Sequence, residues 1–454
     1  MRKHPRFVAL LLTSALPGYS QVLPVEPLPQ AVAPVAERVQ RQAELLQRQA
    51  LQQAQHQQLL QQLAEKAALP DPLTTLPKTL DVLNNSGQLR WREVEVEHGF
   101  RAVEREWLLL LSAQEWQQLS ARWPQLPGYV QARTALDGIG LLLITLKIPP
   151  QLDSSAQLRQ QFDAELAAMA GRNHLYQPQA AIETSAAEAA VPTAMCTAPV
   201  TLGMVDTAIA LQHPALTQQA GRLSIVQQSF LPADIAQSYG HGTAVAGVLA
   251  AQQQNSPALL PKLTLYSASA FYPSNNYQQS ATLAHVLQAL NYLVQQQVKV
   301  INMSLTGPDN PVLAATVAQL AKQQVILVAA AGNGGPAAAA LYPAAYPQVL
   351  AVTAVDSLAQ LYRWANQGDY IDFAALGVKV PALSTAGDWA VQSGTSLAAP
   401  VVSAAVACLL ALTPGSSLAD IKQQLIQQAR DLGGPGKDQQ FGYGLLAAPL
   451  KAQL

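Results

Sequence analysis

The sequence predicts an α/β fold in its C-terminal half, preceded by a smaller α+β unit. In the second half, short apolar segments typical of buried strands end in polar or glycine-rich turns, and helix-forming segments follow several of them. The two halves also differ in charge. Residues 1–196 contain 17 basic and 18 acidic side chains, whereas residues 197–454 contain ten of each, and all ten of those acids are Asp. The change falls in the Ala-, Thr- and Pro-rich stretch 179–196, which we interpret as an exposed linker because it has little to bury.

The bulk composition limits the possible functions. A chain of 454 residues is long enough for two or three domains. The formal net charge of −1 and the lack of a basic cluster argue against nucleic acid as a partner. Hydrophobic residues make up 50% of the chain, yet no apolar run reaches the ~20 residues of a membrane span, so we expect no integral membrane segment. Two cysteines are too few for a disulfide framework or a four-thiolate zinc site.

The N-terminus has the pattern of an export signal. Residues 1–20 begin with Arg2, Lys3 and Arg6 and continue with the apolar stretch Phe7–Leu16, which predicts a signal peptide and a periplasmic or extracellular location. The alternative is a disordered start of a cytoplasmic protein. Residues 21–100 form an N-terminal extension of unassigned role. It contains a predicted long Gln- and Ala-rich helix, because no Gly or Pro interrupts Ala36–Leu69.

Residues 101–178 predict a compact α+β unit with the element order βαββαβ. This order is typical of a ferredoxin-like fold, which hosts many functions and proves none. The predicted elements are a strand at Trp107–Leu111, a helix at Ser112–Trp123, strands at Tyr129–Ala135 and Gly140–Ile148 around an Asp-Gly turn, a helix at Ser155–Met169 and a strand at His174–Gln177.

Four segments in the C-terminal half place a polar residue where a predicted strand meets a turn or a helix. These residues are Asp206, His241, Asn333 and Ser396. Asp206 and Asn333 each follow an apolar strand, His241 lies at the start of an Ala- and Val-rich helix, and Ser396 lies at the start of a long apolar helix. Each feature alone is explained more simply as a turn or a helix cap. Together they indicate nucleophilic catalysis.

The chemistry of a serine nucleophile requires these residue types. A serine hydroxyl needs a base within hydrogen-bond reach, and His241 is suited to accept the proton of Ser396. A carboxylate such as Asp206 fixes the tautomer of the imidazole and stabilises its charged form. Backbone N–H groups at a helix N-terminus and the side-chain amide of Asn333 are suited to stabilise an oxyanion.

The segments VDTAI, HGTAVAGVLA, AAAGNGG and SGTSLAAP resemble the motifs of subtilisin-like serine peptidases. The resemblance covers residues 197–454 and implies a doubly wound, mostly parallel sheet. It implies a serine endopeptidase that acts on protein or peptide substrates through an acyl-enzyme. Asp206 would be the orienting carboxylate, His241 the general base and acid, Ser396 the nucleophile and Asn333 the oxyanion donor. No cofactor is required for this chemistry. Structural calcium is common in the family, but no Asp-rich loop with calcium spacing is found, so no calcium site is assigned.

The same resemblance assigns residues of the substrate cleft. One wall consists of Ser304, Leu305 and Thr306, which would pair with the substrate backbone, and Thr306 stands where the family frequently has Gly. The other residues border the pocket for the side chain before the scissile bond: Ala330, Ala331 and Gly332 on its wall and Leu341 at its floor. Because a leucine floor makes this pocket shallow, we expect a preference for small or medium apolar side chains.

The resemblance also gives the α+β unit a role. Residues 101–178 would be a prodomain that inhibits the peptidase domain within the same chain, with the segment near His174–Gln179 in the cleft. Self-cleavage would then fall in Gln179–Thr197.

The same residues exclude three other hydrolase classes. A sedolisin-type peptidase needs a Glu, which residues 197–454 lack. An α/β-hydrolase needs the chain order Ser…Asp…His and a G-x-S-x-G motif around the serine, and neither is present. The HExxH motif of a zincin is also absent. A catalytically inactive subtilase homologue that acts as a binding or scaffold module is the remaining alternative. Cys196 and Cys408 are able to pair after export, although a buried free thiol is the more frequent state of a cysteine such as Cys408 in an apolar helix.

Overall fold

A computed structural model of the chain describes residues 77–178, 181–182, 193–219, 221–252, 257–274 and 278–450. The expected signal peptide and the expected long helix at Ala36–Leu69 lie outside the described residues. The strands are β1 Thr79–Leu83, β2 Leu89–Glu95, β3 Arg101–Leu111, β4 Val130–Leu136, β5 Leu141–Lys147, β6 Gly171–Pro178, β7 Ala181–Ile182, β8 Val200–Asp206, β9 Leu223–Ser229, β10 Leu263–Ser269, β11 Tyr272–Pro273, β12 Gln279–Thr282, β13 Val300–Met303, β14 Leu305–Thr306, β15 Ile326–Ala330, β16 Val349–Val355, β17 Phe373–Leu376, β18 Val380–Leu383 and β19 Trp389–Ser393. The α-helices are α1 Ala113–Arg122, α2 Ser155–Gln161, α3 Ala164–Met169, α4 Pro214–Thr217, α5 Gly240–Ala250, α6 Leu283–Gln295, α7 Pro311–Lys322, α8 Thr395–Leu412 and α9 Leu418–Gln428.

The C-terminal half is built on a seven-stranded parallel sheet with the order β17-β16-β15-β13-β8-β10-β9. Central strands of such a sheet are covered on both faces and therefore consist of apolar residues; all seven residues of β16 are buried. Helices α5 and α8 pack on one face, and α6 and α7 pack on the other. The doubly wound α/β fold predicted from the sequence is confirmed.

The N-terminal sheet contains the predicted βαββαβ unit. Its four strands lie in the antiparallel order β4-β5-β3-β6, which is the ferredoxin-like arrangement. The helix expected at Ser155–Met169 is instead two helices, α2 and α3. Phe162 leaves the helical conformation, and the side chain of Asp163 starts a new helix by accepting a hydrogen bond from Leu166 N at 2.8 Å.

This sheet is larger than the sequence indicated. The β1–β2 hairpin adds to it through β3, in the segment that the sequence analysis assigned to the N-terminal extension. On its other side, β6 pairs with two strands of the C-terminal half, β12 and β14. The short strand β7 pairs with β19, which follows β18 in a separate three-stranded sheet. The N-terminal sheet is thus continuous with the edges of the α/β half.

Cys196 and Cys408 form a disulfide in the structure, with their Cα atoms 5.6 Å apart. The sequence left open whether these cysteines form a disulfide or remain free thiols, and the structure contains the disulfide. The bridge links the start of the α/β half to α8, the helix that begins beside Ser396, and both cysteines are buried. A crosslink between residues 212 positions apart removes much conformational freedom from the unfolded chain and is therefore stabilising.

Helix α8 is the described helix that is long and apolar enough to span a membrane, and 78% of it is buried inside the fold. Among the described residues, no three His, Cys, Asp or Glu side chains come together as a metal site.

Candidate active site

Asp206 and His241 form a buried pair at the carboxyl end of the parallel sheet. Asp206 is the last residue of β8, and His241 lies in the first turn of α5. Their side chains meet with 2.7 Å between Asp206 Oδ1 and His241 Nδ1, and the two residues are 1% and 7% exposed. The backbone N–H of Thr207 donates to the same carboxylate oxygen at 2.7 Å. Since Nδ1 faces a carboxylate, the neutral ring carries its proton there, and Nε2 is left as the basic nitrogen.

The start of α5 is held against the end of β8 by a close backbone contact. Gly242 N donates to Thr207 Oγ1 at 2.7 Å, and a Cβ at Gly242 would lie 2.2 Å from Thr207 O. Only glycine fits at this position, because any side chain would push the helix away from the strand. The glycine after His241 therefore sets the distance at which the imidazole meets Asp206.

Ser396 lies in the first turn of α8 and is fully buried in the structure. Its backbone carbonyl accepts a hydrogen bond from Ser304 Oγ at 2.7 Å. Ser304 Oγ in turn accepts from Asn302 Nδ2 at 2.9 Å, and Asn302 Oδ1 accepts from Ser403 Oγ, about two turns further along α8, at 3.0 Å. These four residues fix the first turns of α8 to the end of β13. The N–H groups of this turn are the positive end of an 18-residue helix.

Asn333 is oriented by Thr395, the residue before Ser396. Its Oδ1 accepts from Thr395 N at 3.0 Å and from Thr395 Oγ1 at 2.9 Å, while Gly332 N donates to Thr395 Oγ1 at 3.1 Å. Because a backbone N–H is only a donor, the Asn333 atom that faces it is the amide oxygen. The NH₂ group of Asn333 is therefore directed away from Thr395.

The predicted hydrogen bond between His241 and Ser396 is not formed in the structure. His241 Nε2 is buried and has no hydrogen-bond partner among the described residues, and the same holds for Asp206 Oδ2. The structure thus brings together Asp206 with His241, and Asn333 with the residue that precedes Ser396. A loose nucleophile–base contact is common in the absence of substrate and tightens when substrate binds.

The wall residues that the sequence analysis assigned are paired with the chain's own strand β6. Leu305 and Thr306 lie opposite Pro178 and Gln177 in an antiparallel ladder. Tyr176 is fully buried beside Gly307, where an added Cβ would lie 2.5 Å from the tyrosine ring, and its hydroxyl donates to Pro308 O at 3.0 Å. An extended segment of the same chain is therefore paired along these residues.

The other residues that the sequence analysis assigned to the pocket lie close together, at and beyond the end of β15. Ala330 and Ala331 are buried, and Gly332 has a φ of 112° in the left-handed region. A Cβ at Gly332 would lie 2.8 Å from Leu341 Cδ1, so Leu341 borders the space beside Gly332. Tyr370 donates to Ala331 O at 3.2 Å, and burial raises the pKa of Tyr370 to about 12, which keeps this hydroxyl a neutral donor.

Sequence reasoning missed the residues that orient the site. Asn302 was identifiable in principle, since an amide within the apolar strand VINM signals a buried hydrogen bond. Thr395 lies inside the motif SGTSLAAP, but nothing local shows that its hydroxyl reaches Asn333. Tyr176 gives no signal in the sequence, because its burial depends on residues about 130 positions away.

The fold and the site together define an α/β protein with a doubly wound parallel sheet and a polar site at the carboxyl ends of its strands. A profile of the subtilase family matches residues 198–444, more than half of the 454 residues, and the chain belongs to this family.

Similar proteins include the minor extracellular protease Epr of Bacillus subtilis (strain 168), which is 31% identical over 46% of this chain and 32% of its own length. Subtilisin E of the same strain is 30% identical over 56% of this chain and 66% of its own length. Subtilisin of Bacillus pumilus is 30% identical over 56% of this chain and 91% of its own length. The chain thus spans about a third of Epr and just under two thirds of subtilisin E.

The orientation of Asn333 is open to a direct test. We expect Asn333→Ala to lower kcat on a peptide substrate by about 10²–10³-fold with little change in KM, because an oxyanion donor acts mainly in the transition state. Thr395→Val removes the hydroxyl that accepts from Gly332 and donates to Asn333, and should lower kcat less, by about tenfold. Thr395→Ser, which keeps the hydroxyl, is the matched control. Equal kcat in the Asn333→Ala and unaltered proteins would contradict the assignment.

Acid should weaken the contact of β6 with α7. His174 Nδ1 accepts from Asn310 Nδ2 at 2.9 Å, which requires an unprotonated Nδ1. Burial and the nearby Arg172 lower the pKa of His174 to about 4, against the opposing effect of Glu97. A histidine with a lowered folded pKa stabilises the fold above pH 6.5 and loses that contribution as pH falls towards 4.

We expect the free energy of unfolding at pH 5 to be about 2 kcal/mol lower than at pH 7 through His174 alone. The measurement is denaturant unfolding of the intact Ser396→Ala chain at both pH values. His174→Gln should remove this share of the acid sensitivity, and the exposed His98→Gln should leave it in place. An unchanged pH difference in His174→Gln would show that His174 is not responsible.

Proposed function

We propose that the protein is a serine endopeptidase that hydrolyses peptide bonds of protein or peptide substrates. The observation that carries this proposal is the buried hydrogen bond between Asp206 and His241, at the edge of the sheet where Ser396 lies in the first turn of α8. Membership of the subtilase family supports it.

In the proposed mechanism, His241 Nε2 takes the proton of Ser396 Oγ as this oxygen attacks the substrate carbonyl. Asp206 holds the imidazole ring in place and stabilises its positive charge. The NH₂ group of Asn333 and the N–H groups at the start of α8 stabilise the oxyanion. His241 then gives the proton to the leaving amine. Water hydrolyses the acyl-enzyme by the same steps with His241 again as the base.

We further propose that the enzyme is exported and made as an inhibited precursor. Export is supported by the basic and apolar start of the chain and by the relative named as an extracellular protease. Inhibition by residues 101–178 is supported by the ladder between β6 and β14, because a strand that occupies the cleft edge excludes a substrate strand.

The pairing on both sides of the cleft narrows the proposed cleavage position. Pro178 pairs with Leu305 on one side, and Ala181 pairs with Ser393, three residues before Ser396, on the other. A peptide bond that reaches Ser396 should therefore lie between Gln179 and Ala181. We expect the mature chain to begin at Ala180 or Ala181. The apolar preference proposed below favours Ala181, because Ala180 then precedes the scissile bond, whereas a start at Ala180 places Gln179 there.

The proposed activity is tested by incubating the purified protein with casein and measuring new α-amino groups. We expect hydrolysis that is blocked by a serine-directed sulfonyl fluoride, with the adduct on the peptide that contains Ser396. A folded, processed protein without hydrolysis would favour the inactive scaffold instead.

We propose a preference for small or medium apolar side chains before the scissile bond, because Leu341 borders the space beside Gly332. Leu341→Gly should raise kcat/KM for a substrate with Phe before the scissile bond, relative to the same substrate with Ala there, by at least tenfold. The reason is that removing the leucine side chain enlarges the pocket by the volume of several methylene groups. The volume-conserving Leu341→Met should keep the original ratio. A cleavage profile of a peptide library dominated by Lys and Arg would contradict the proposal.

A further inference from the structure

The β1–β2 hairpin lies outside the ferredoxin-like unit and contacts the α/β half away from the cleft strand. We call residues Thr79–Glu95 the anchor hairpin. At its turn, Asn85 N donates to Asp234 O at 2.8 Å, and Arg90 Nε lies 3.6 Å from Asp234 Oδ1. Asp234 belongs to the segment that leads into α5 and His241.

Apolar side chains form the centre of the contact between the anchor hairpin and the α/β half. Val82 is buried in a cluster with Leu231, Ile235 and Tyr272 of the α/β half. The indole of Trp91 meets the Tyr272 ring edge-on, with 5.0 Å between the ring centroids, and Trp91 Nε1 lies 3.4 Å from the tyrosine hydroxyl. Tyr272 is fully buried and Trp91 is partly buried, and an aromatic pair of this kind is a frequent centre of binding energy in an interface.

Glu93 makes the contact specific. It is 1% exposed, and its Oε1 accepts from Tyr272 OH at 2.8 Å and from Ser274 Oγ at 3.1 Å. Its Oε2 lies 3.5 Å from Arg101 Nε. Two of its partners belong to the α/β half, so the buried carboxylate is fully satisfied only while the hairpin is docked.

The hairpin lies on the N-terminal side of the proposed cleavage position and its partners lie on the C-terminal side, so cleavage cuts the covalent link between them but removes none of these contacts. We propose that the anchor hairpin is a second docking element, which holds the cleaved propeptide on the peptidase domain and sets the delay between cleavage and activity. This inference rests on the proposed function. Its physical basis is that the cleft strand β6 and the hairpin belong to the same propeptide. When one of them dissociates from the peptidase domain, the other keeps the propeptide nearby, so the released element rebinds at a high effective concentration.

The test compares full-length chains with Trp91→Ala, Trp91→Phe and Arg92→Ala. Arg92 is the matched control, because its side chain contacts Asp81 and Glu104 of the same sheet. After cleavage is complete, the time before peptide hydrolysis begins and the fraction of propeptide that co-elutes with the peptidase domain are measured. We expect a delay about tenfold shorter in Trp91→Ala, a smaller shortening in Trp91→Phe, and the original delay in Arg92→Ala. The final kcat/KM should be equal in all chains, because the hairpin is absent from the mature enzyme.

Equal delays in chains that all undergo cleavage would overturn the anchor role and leave the proposed function intact. If Trp91→Ala does not yield folded protein, the comparison of Trp91→Phe with Arg92→Ala decides. An unaltered chain that neither cleaves itself nor hydrolyses peptides would overturn the proposed function, and this inference with it.

Discussion

Ser396→Ala should lower kcat on a peptide substrate by about 10⁶-fold and leave the chain uncleaved. The size of the effect follows from the role of the hydroxyl: without it no acyl-enzyme forms, and what remains is the contribution of binding and of the oxyanion donors. The fold should persist, because a serine-to-alanine change at this buried position removes one oxygen and adds no volume. The measurement is kcat and KM on a chromogenic peptide, together with thermal unfolding of both proteins.

Ser416→Ala is the matched control for this prediction. Ser416 lies in the turn after the same helix, and its hydroxyl donates to Thr413 O at 2.9 Å. Its loss should leave both kcat and cleavage unchanged. Comparable activity in Ser396→Ala and Ser416→Ala would show that another group is the nucleophile.

Asp206→Asn should lower kcat by about 10⁴-fold. The carboxylate is 1% exposed and bonds His241 Nδ1 at 2.7 Å, so its charge stabilises the imidazolium that forms in the transition state. An amide of the same shape removes this charge and no longer selects the tautomer with Nε2 as the base. The measurement is kcat against pH on a peptide substrate.

The exposed aspartate Asp369 provides the control for this change. Asp369→Asn alters the net charge by the same amount but affects only a surface hydrogen bond with Gln439. We expect its kcat to match that of the unaltered protein. If Asp206→Asn retains more than a tenth of the original kcat, Asp206 is not the orienting carboxylate.

The sequence allowed the prediction of the α/β fold and of its site because both have local signals. The inner strands of the central sheet are largely apolar, whereas the edge strand β9 alternates in burial. Asp206, His241, Asn333 and Ser396 each lie in a short motif at a strand or helix end. The structure places these motifs at one edge of the sheet because carboxyl ends of parallel strands share an edge.

Features that depend on distant pairing have no local signal in the sequence. The family resemblance placed the segment near His174–Gln179 in the cleft, but nothing local selects Gln177 as the partner of Thr306 or decides whether Cys196 pairs with Cys408. The break between α2 and α3 was also missed. There the apolar spacing continues, and the capping side chain of Asp163 decides the boundary. The β1–β2 hairpin is stabilised largely by β3 and by the α/β half, so its own sequence carries a weak signal.

In the proposed function, Ser396 cleaves a peptide bond of its own chain, between residues 179 and 181. The most direct measurement is the intact mass of the full chain and of its Ser396→Ala variant, each expressed and purified in the same way. We expect the wild-type chain to be shortened to a start at Ala180 or Ala181 and the variant still to carry residues 101–178. Two chains shortened alike would show that another protease makes the cut, and two chains that both retain residues 101–178 would contradict self-processing.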